Sequence, residues 1–246
     1  MKILVFDFET TGVDTDNDRI ITAFVRARDG DATLFENSWI INPGVEIPKE
    51  ASDVHGMTTE WVRENGRTDV AAAIEEIVHE LSEYGHYGFV ICGYNHAFDL
   101  AMLEAEAKRY NPGVQNLRIK DWVPKYRFID PAIFSRVFDK YVKGGHQLIT
   151  VAKRNGIEVE EDRLHAADYD VEVTEKLVKI FLNRAWKELP ELRERAESPD
   201  DFVSLLQGWQ ANEKYKWAEH TTRYFESTGK TEDDGSKIVV SGAFPW

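Results

Sequence analysis

The chain has 246 residues, 42% of them hydrophobic and 30% charged, which excludes a wholly disordered protein. Thirty Lys and Arg against 44 Asp and Glu give a formal charge of −14, which excludes a generic polycation that grips nucleic acid by bulk charge. It leaves room for a nucleic-acid enzyme that recruits its positive charge as metal ions. No run approaches the ~18 apolar residues needed to cross a bilayer, and Ile3-Leu4-Val5-Phe6 is too short for a signal peptide, so a cytoplasmic setting without membrane is expected.

In chain order, residues 2–9 are a short apolar run that reads as a buried strand. Residues 20–28 and 33–41 are β-rich and flank the turn signal Asp29-Gly30-Asp31, which predicts an antiparallel hairpin. Residues 42–66, with Pro43, Gly44, Pro48, Gly56 and Gly66, read as a loop. A helix is predicted over 69–84, closing at Gly85. A buried strand follows over 89–94, with Cys92 as a small core residue; being the one cysteine, it excludes an internal disulfide and a Cys-based zinc site. Further helices are predicted over 97–110, 131–142, 147–155 and 168–186, with a short strand at 127–129. Three strands first, then helices alternating with strands, imply an α/β fold with a mixed five-stranded sheet and helices on its faces. Beyond a soft boundary near 186 come a charged connector, an amphipathic helix near 200–226, a polar linker over 229–237 and the strand-like Ile238-Val239-Val240. The expected organisation is a main domain over 1–186 and a C-terminal helical extension over 187–246 packed against it.

Chemistry concentrates in three places. Residues two apart on a strand point the same way, so Asp7 and Glu9 present two carboxylates on one side while Phe6 and Phe8 face the other. Such a pair repels unless a cation sits between its members, and hard oxygen ligands suit Mg²⁺ or Mn²⁺. The plainer alternative is a chain turn after an edge strand. Asp99, in Asn95-His96-Ala97-Phe98-Asp99, falls in a first helical turn, where an acid can simply complement the helix dipole. His165 and Asp170 are about 140° apart on a helix and cannot share a face. They converge only if His165 sits on the loop before the helix while Asp170 projects from within it, which makes Asp168 the expected N-cap.

Taken in order, Asp7-Phe8-Glu9-Thr10-Thr11-Gly12, Asn95-His96-Ala97-Phe98-Asp99 and His165-Ala166-Ala167-Asp168-Tyr169-Asp170 closely resemble the three motifs of the DEDDh exonucleases. That group includes the DnaQ-like proofreading epsilon subunit of bacterial DNA polymerase III and RNase T. Residues 47–58 (IPKEASDVHGMT) and Gly145-His146-Gln147-Leu148 are similar to further family stretches, and the resemblance covers about residues 1–183. Tyr94 departs from it, standing where many members carry His. The resemblance implies a ribonuclease H-like fold and metal-dependent 3′→5′ hydrolysis that releases nucleoside 5′-monophosphates. It also implies two divalent ions, Mg²⁺ or Mn²⁺, held by Asp7, Glu9, Asp99 and Asp170, with His165 as general base. An imidazole is substantially neutral near pH 7, as a base requires.

By the same resemblance, Thr10, Thr11 and Gly12 meet the terminal nucleotide, His55 and Met57 lie on a loop that stacks on or wedges the last base, and Asn95 and Phe98 line the pocket. Met57 and Phe98 could equally be core residues. Residues 118–143 hold seven Lys or Arg (Arg118, Lys120, Lys125, Arg127, Arg136, Lys140, Lys143) against three Asp, a local +4 that is either a backbone-tracking patch or a solvated surface. Asp14, Asp16 and Asp18 lack the Gly and Glu of a calcium loop and read as a polar turn. The expected partner is nucleic acid with a free 3′ end, DNA ahead of RNA, and a separate polymerase is possible. The alternatives are an RNA 3′→5′ exonuclease of the same family and a non-catalytic docking or nucleic-acid-binding module.

Overall fold

The computed structural model of the chain describes residues 1–113, 119–122, 125–160, 163, 165–232 and 236–245. Its sheet has five strands: β1 (Lys2–Thr10), β2 (Ile20–Asp29), β3 (Ala32–Ile40), β4 (Val90–Cys92) and β5 (Arg127–Ile129), in the order β3-β2-β1-β4-β5. β1 pairs antiparallel with β2 and parallel with β4, and β4 pairs parallel with β5. The helices are α1 (Lys49–His55), α2 (Thr59–Asn65), α3 (Val70–His86), α4 (Ala97–Tyr110), α5 (Ile119–Trp122), α6 (Pro131–Phe138), α7 (Leu148–Arg154), α8 (Ala167–Glu188), α9 (Pro190–Arg195) and α10 (Pro199–Thr228).

Period-two alternation in β1 splits the core in two. Leu4, Phe6 and Phe8 pack with Ile74, Ile77 and Leu81 of α3 and Leu100 and Leu103 of α4. Ile3 and Val5 face the opposite way and pack with Val173, Leu177 and Phe181 of α8. Burial at roughly 1.5–3 kcal/mol per large side chain fixes the register, because a one-residue slip would exchange the two faces. β1 thus lies at the centre of the sheet with a helical layer on each face, and its C-terminal end is where the motifs meet.

The expected mixed sheet with three antiparallel strands first is present. Three local expectations need correction. The stretch read as a loop over 42–66 contains α1 and α2, whose Pro and Gly residues are caps. Pro48 precedes α1, and Gly56, at φ 76° in the left-handed region that glycine tolerates, closes it with its N–H donating to the Ser52 carbonyl. The Thr58 hydroxyl then accepts from the Trp61 N–H to start α2. Asp168 is not the N-cap of α8: the helix begins one residue earlier, capped at Ala166, and Asp168 pairs with Arg163 at 3.5 Å. Ile238-Val239-Val240 form no strand; the tail runs over α10, with the Val240 N–H donating to the Thr222 hydroxyl at 3.0 Å.

The extension also completes the sheet. β5 is an edge strand, and unpaired edge groups are costly where they are buried. Two glutamines of α10 satisfy them. Gln207 accepts from the Phe128 N–H at 2.8 Å, while Gln210 accepts from the Asp130 N–H at 2.7 Å and donates to the Phe128 carbonyl at 3.1 Å. Phe202, Val203 and Leu206 of the same helix enter the α8-side core.

Candidate active site

At the C-terminal end of β1, the side of the strand that buries Ile3 and Val5 carries Asp7 and Glu9. The pairing of β1 with β2 shifts register between Glu9 and Thr10, an irregularity of the kind that re-aims side chains beside functional sites. β4 stops opposite Val5, so the last residues of β1 have no β4 partner. The Phe8 N–H on that stretch is taken by the carboxylate of Asp99, one turn into α4 and buried. Asp170 arrives from the first turn of α8, also buried, and accepts from the backbone N–H of His165. This bond ties the residue that precedes the N-cap Ala166 back onto the first turn of α8.

Burial raises all four carboxylates, and charges within the cluster add to the rise at Asp7 and Glu9. Asp7 is pushed well above the usual carboxylate range, first by burial and then by Asp99, Glu9 and Asp170. Burial, with Asp170 and Asp99 nearby, pushes Glu9 up to about 8. Asp99 rises to about 7, with burial outweighing its bonds to backbone N–H groups. Asp170 rises to about 6 through burial, opposed by the His165 imidazole and backbone. Clustered acids that burial keeps from water either hold protons or hold a cation. A ligand atom from each of Glu9, His165 and Asp170 lies within 4.8 Å of the others, and Asp170 Oδ1 is buried without a hydrogen-bond partner. This hard oxygen set with one imidazole fits a divalent cation.

His165 is exposed and held at φ 62°, in the left-handed region that non-glycine residues seldom enter. That conformation turns its ring toward Glu9 and Asp170 immediately before α8. Asn95 adopts the same region at φ 58°, is exposed, and donates its backbone N–H to Asp130 Oδ1 at 2.9 Å.

The remaining sequence candidates fall into two groups. His55 is near the cluster: burial lowers its pKa first, the Thr10 carbonyl opposes this, and His165 adds to the lowering. His55 Nδ1 accepts from the Met57 N–H at 3.1 Å. Thr10, Gly12 and Asn95 line the same end of the sheet. Thr11, Met57 and Phe98 are engaged elsewhere. Thr11 is buried, and its hydroxyl donates to Asp18 at 2.8 Å; a Cβ at Gly12 would collide with that carboxylate. Met57 packs on Ile21, Ile47 and Val62, and Phe98 on the α3–α4 core. Asp18 also accepts from the Asp14 N–H at 2.8 Å, so the Asp14–Asp18 turn clasps the loop after β1. Tyr94 donates to the His146 carbonyl at 2.6 Å. In the basic stretch, Arg118 and the side chain of Lys120 lie outside the described residues.

Sequence reasoning missed Asp130. It caps α6 through the Ala132 N–H, holds Asn95, and raises Asp99. Its signal was an Asp-Pro pair at the end of a parallel strand, the position where ligand-facing residues gather in α/β sheets.

The exonuclease family model, RNase T, matches residues 4–178, which span all three motifs and the strands beneath them. The chain belongs to this exonuclease family. Among its relatives are PolC-type DNA polymerase III of Clostridium perfringens, 28% identical over 76% of this chain and 12% of that protein, and of Streptococcus sanguinis, 30% identical over 73% and 11%. A DNA polymerase III subunit epsilon-like protein of Rhodobacter capsulatus is 29% identical over 71% of this chain and 23% of its own length. The exonuclease chain thus spans a small part of the curated relatives it matches. Escherichia coli exonuclease I, solved in complex with a dT13 oligonucleotide, shares the fold at TM-score 0.64 and 21% identity, covering 78% of this chain and 43% of that one. An exonuclease I from Methylocaldum szegediense does so at 0.57 and 20%, covering 88% and 46%. The fold is ribonuclease H-like, and the exonuclease is DnaQ-like. No helix among the described residues is long and apolar enough to cross a membrane.

Proposed function

We propose that this exonuclease hydrolyses DNA from the 3′ end and releases nucleoside 5′-monophosphates, with the catalytic unit in residues 1–186 and residues 187–246 as an accessory extension. The observation that carries the reading is the convergence of Asp7, Glu9, Asp99 and Asp170, from three distant segments, on one site where Asp99, Glu9 and Asp170 all raise Asp7. In this reading Asp7, Glu9, Asp99 and Asp170 would together hold two divalent ions, Mg²⁺ or Mn²⁺. When bound, the ions supply Lewis acidity toward the phosphate and charge for the departing oxygen.

The chain's own residues supply the rest. His165, exposed beside Glu9 and Asp170, takes the proton of the attacking water at a ring nitrogen. The water oxygen bonds to phosphorus as the bond from phosphorus to the 3′ oxygen of the penultimate nucleotide breaks, leaving a shortened strand with a 3′ hydroxyl. Thr10, Gly12 and the His55–Met57 loop border the terminal nucleotide, and Asn95 forms the opposite wall. Base contacts here are stacking contacts, tolerant of sequence. DNA is favoured because the relatives are DNA polymerase III proteins and a fold neighbour holds oligothymidylate. A polymerase is the partner class these relatives suggest.

The test uses labelled single-stranded DNA, duplex DNA and RNA with Mg²⁺ or Mn²⁺, with Asp99→Ala as control. The expected result is metal-dependent mononucleotide release from DNA 3′ ends, absent in the variant. RNA degraded in preference to DNA would reassign the substrate, and cleavage equal in wild type and Asp99→Ala would remove the cleft from the chemistry.

A further inference from the structure

We propose that the pocket between α6 and α10 binds the phosphate backbone of the single strand upstream of the terminal nucleotide, so that the C-terminal extension is a substrate track; this rests on the nuclease reading above. The pocket measures about 530 Å³. Arg136 enters from α6, Lys140 from the turn after it, Lys214 and Lys216 from α10, and Ile133 and Val137 supply an apolar wall. One acid lines it, Glu213, and Lys216 engages that carboxylate at 2.7 Å. Four cations against one acid give a local +3 in a chain of −14.

Trp217 is 38% exposed and carries the Arg136 guanidinium over its ring at 4.8 Å. An exposed indole among cations suits a nucleic-acid strand, whose bases stack while its phosphates pair. His146 and His220 add imidazole donors at the rim.

Position argues the same way. Lys214, whose ammonium burial disfavours, has Asp130 close enough to support its charge. Asp130 in turn holds Asn95 at 2.9 Å and acts on Asp99. The pocket therefore flanks the C-terminal end of β5, because Gln210, one turn before Lys214 on α10, caps the Asp130 N–H there. A strand whose 3′ end is fed to Asp7 and Asp99 has to leave the site, and this pocket's excess of three cations exceeds that of the Arg26–Lys179 pocket, where four cations meet three acids. An acidic peptide could satisfy the charge, but nothing about a peptide would require adjacency to the cleavage centre.

The test is fluorescence anisotropy in EDTA on the full chain, with labelled oligothymidylates of about 4 and about 16 nucleotides, comparing wild type with the K140A/K216A double variant. A K176A/K179A variant on the outer side of α8 controls for general loss of charge. For the 16-mer, K140A/K216A should weaken binding about three- to tenfold and make the salt dependence shallower by about 1.4, the slope of two phosphate contacts to a single strand. The control should bind as wild type does. Hydrolysis of the 4-mer should keep its kcat, and that assay separately reads the nuclease proposal, since its absence in wild type would sink that reading whatever the binding shows. Unchanged 16-mer affinity and slope in K140A/K216A would overturn the track, as would an equal loss in the α8 control. Capture of a labelled acidic peptide that depends on Lys140 and Lys216, with oligothymidylate affinity unaltered, would overturn it in favour of a protein partner.

Discussion

The acid cluster at the end of β1 and the cationic pocket against α10 are built by different means. The first gathers Asp7, Glu9, Asp99 and Asp170 through motif spacing, each fixed by strand alternation or a first helical turn. The second assembles only when α10 packs on α6 and its glutamines cap β5. A net charge of −14 describes neither, because the potential felt by a ligand is set by local geometry. The buried acids, crowded around Asp7, call for a cation; the lysines and arginine call for an anion.

The largest expected effect breaks the acidic side outright. Asp7→Ala should abolish hydrolysis and remove Mn²⁺ binding measured by calorimetry. His165→Ala should lose about 10²- to 10⁴-fold in kcat while keeping Mn²⁺ affinity, as loss of a general base does. Parallel loss of affinity would make His165 a ligand, a role its closeness to Glu9 and Asp170 permits.

On the other side, Gln210→Leu should cost about 2–4 kcal/mol in denaturant unfolding, because the Asp130 N–H and Phe128 carbonyl are left buried without partners. A cost under about 0.5 kcal/mol would mean that α10 is not an integral cap of the sheet.

How much of each region was legible follows from how it is made. The clustering of the four acids and His165 was readable because strand alternation and the first turns of α4 and α8 are local rules. The short helices α1 and α2 were not, since two-turn helices announce themselves mainly by their caps, and Pro48, Gly56 and Gly66 look alike as caps or as loop residues. Gln207 and Gln210 were invisible for a stronger reason. Their partners are backbone groups of β5, about 80 residues away in the chain, and no periodicity marks a helix residue that hydrogen-bonds an edge strand. Asp168 misled because an acid at a helix start looks like a cap until the carboxylate of Asp170 is seen to reach the His165 N–H.

The smallest expected effect sharpens the electrostatic half of the comparison. With metal removed, the acids Asp170, Asp99 and Glu9 have folded pKa values of about 6, 7 and 8, above their unfolded values. Raised acids contribute stability below the unfolded pKa that is lost as pH climbs through the folded one. Asp99→Asn should therefore gain on the order of 2 kcal/mol relative to wild type between pH 5 and pH 8 in EDTA, and added Mg²⁺ should erase the gain. A difference independent of pH would mean that Asp99 is not strained by its surroundings.

The central claim, that four acids from three segments form one cation site, is tested most directly by diffraction from crystals soaked in Mn²⁺ and recorded for anomalous signal. The account predicts manganese peaks bounded by Asp7, Glu9, Asp99 and Asp170, and their loss in Asp7→Ala crystals. Ordered crystals with manganese elsewhere and none between those carboxylates would contradict it.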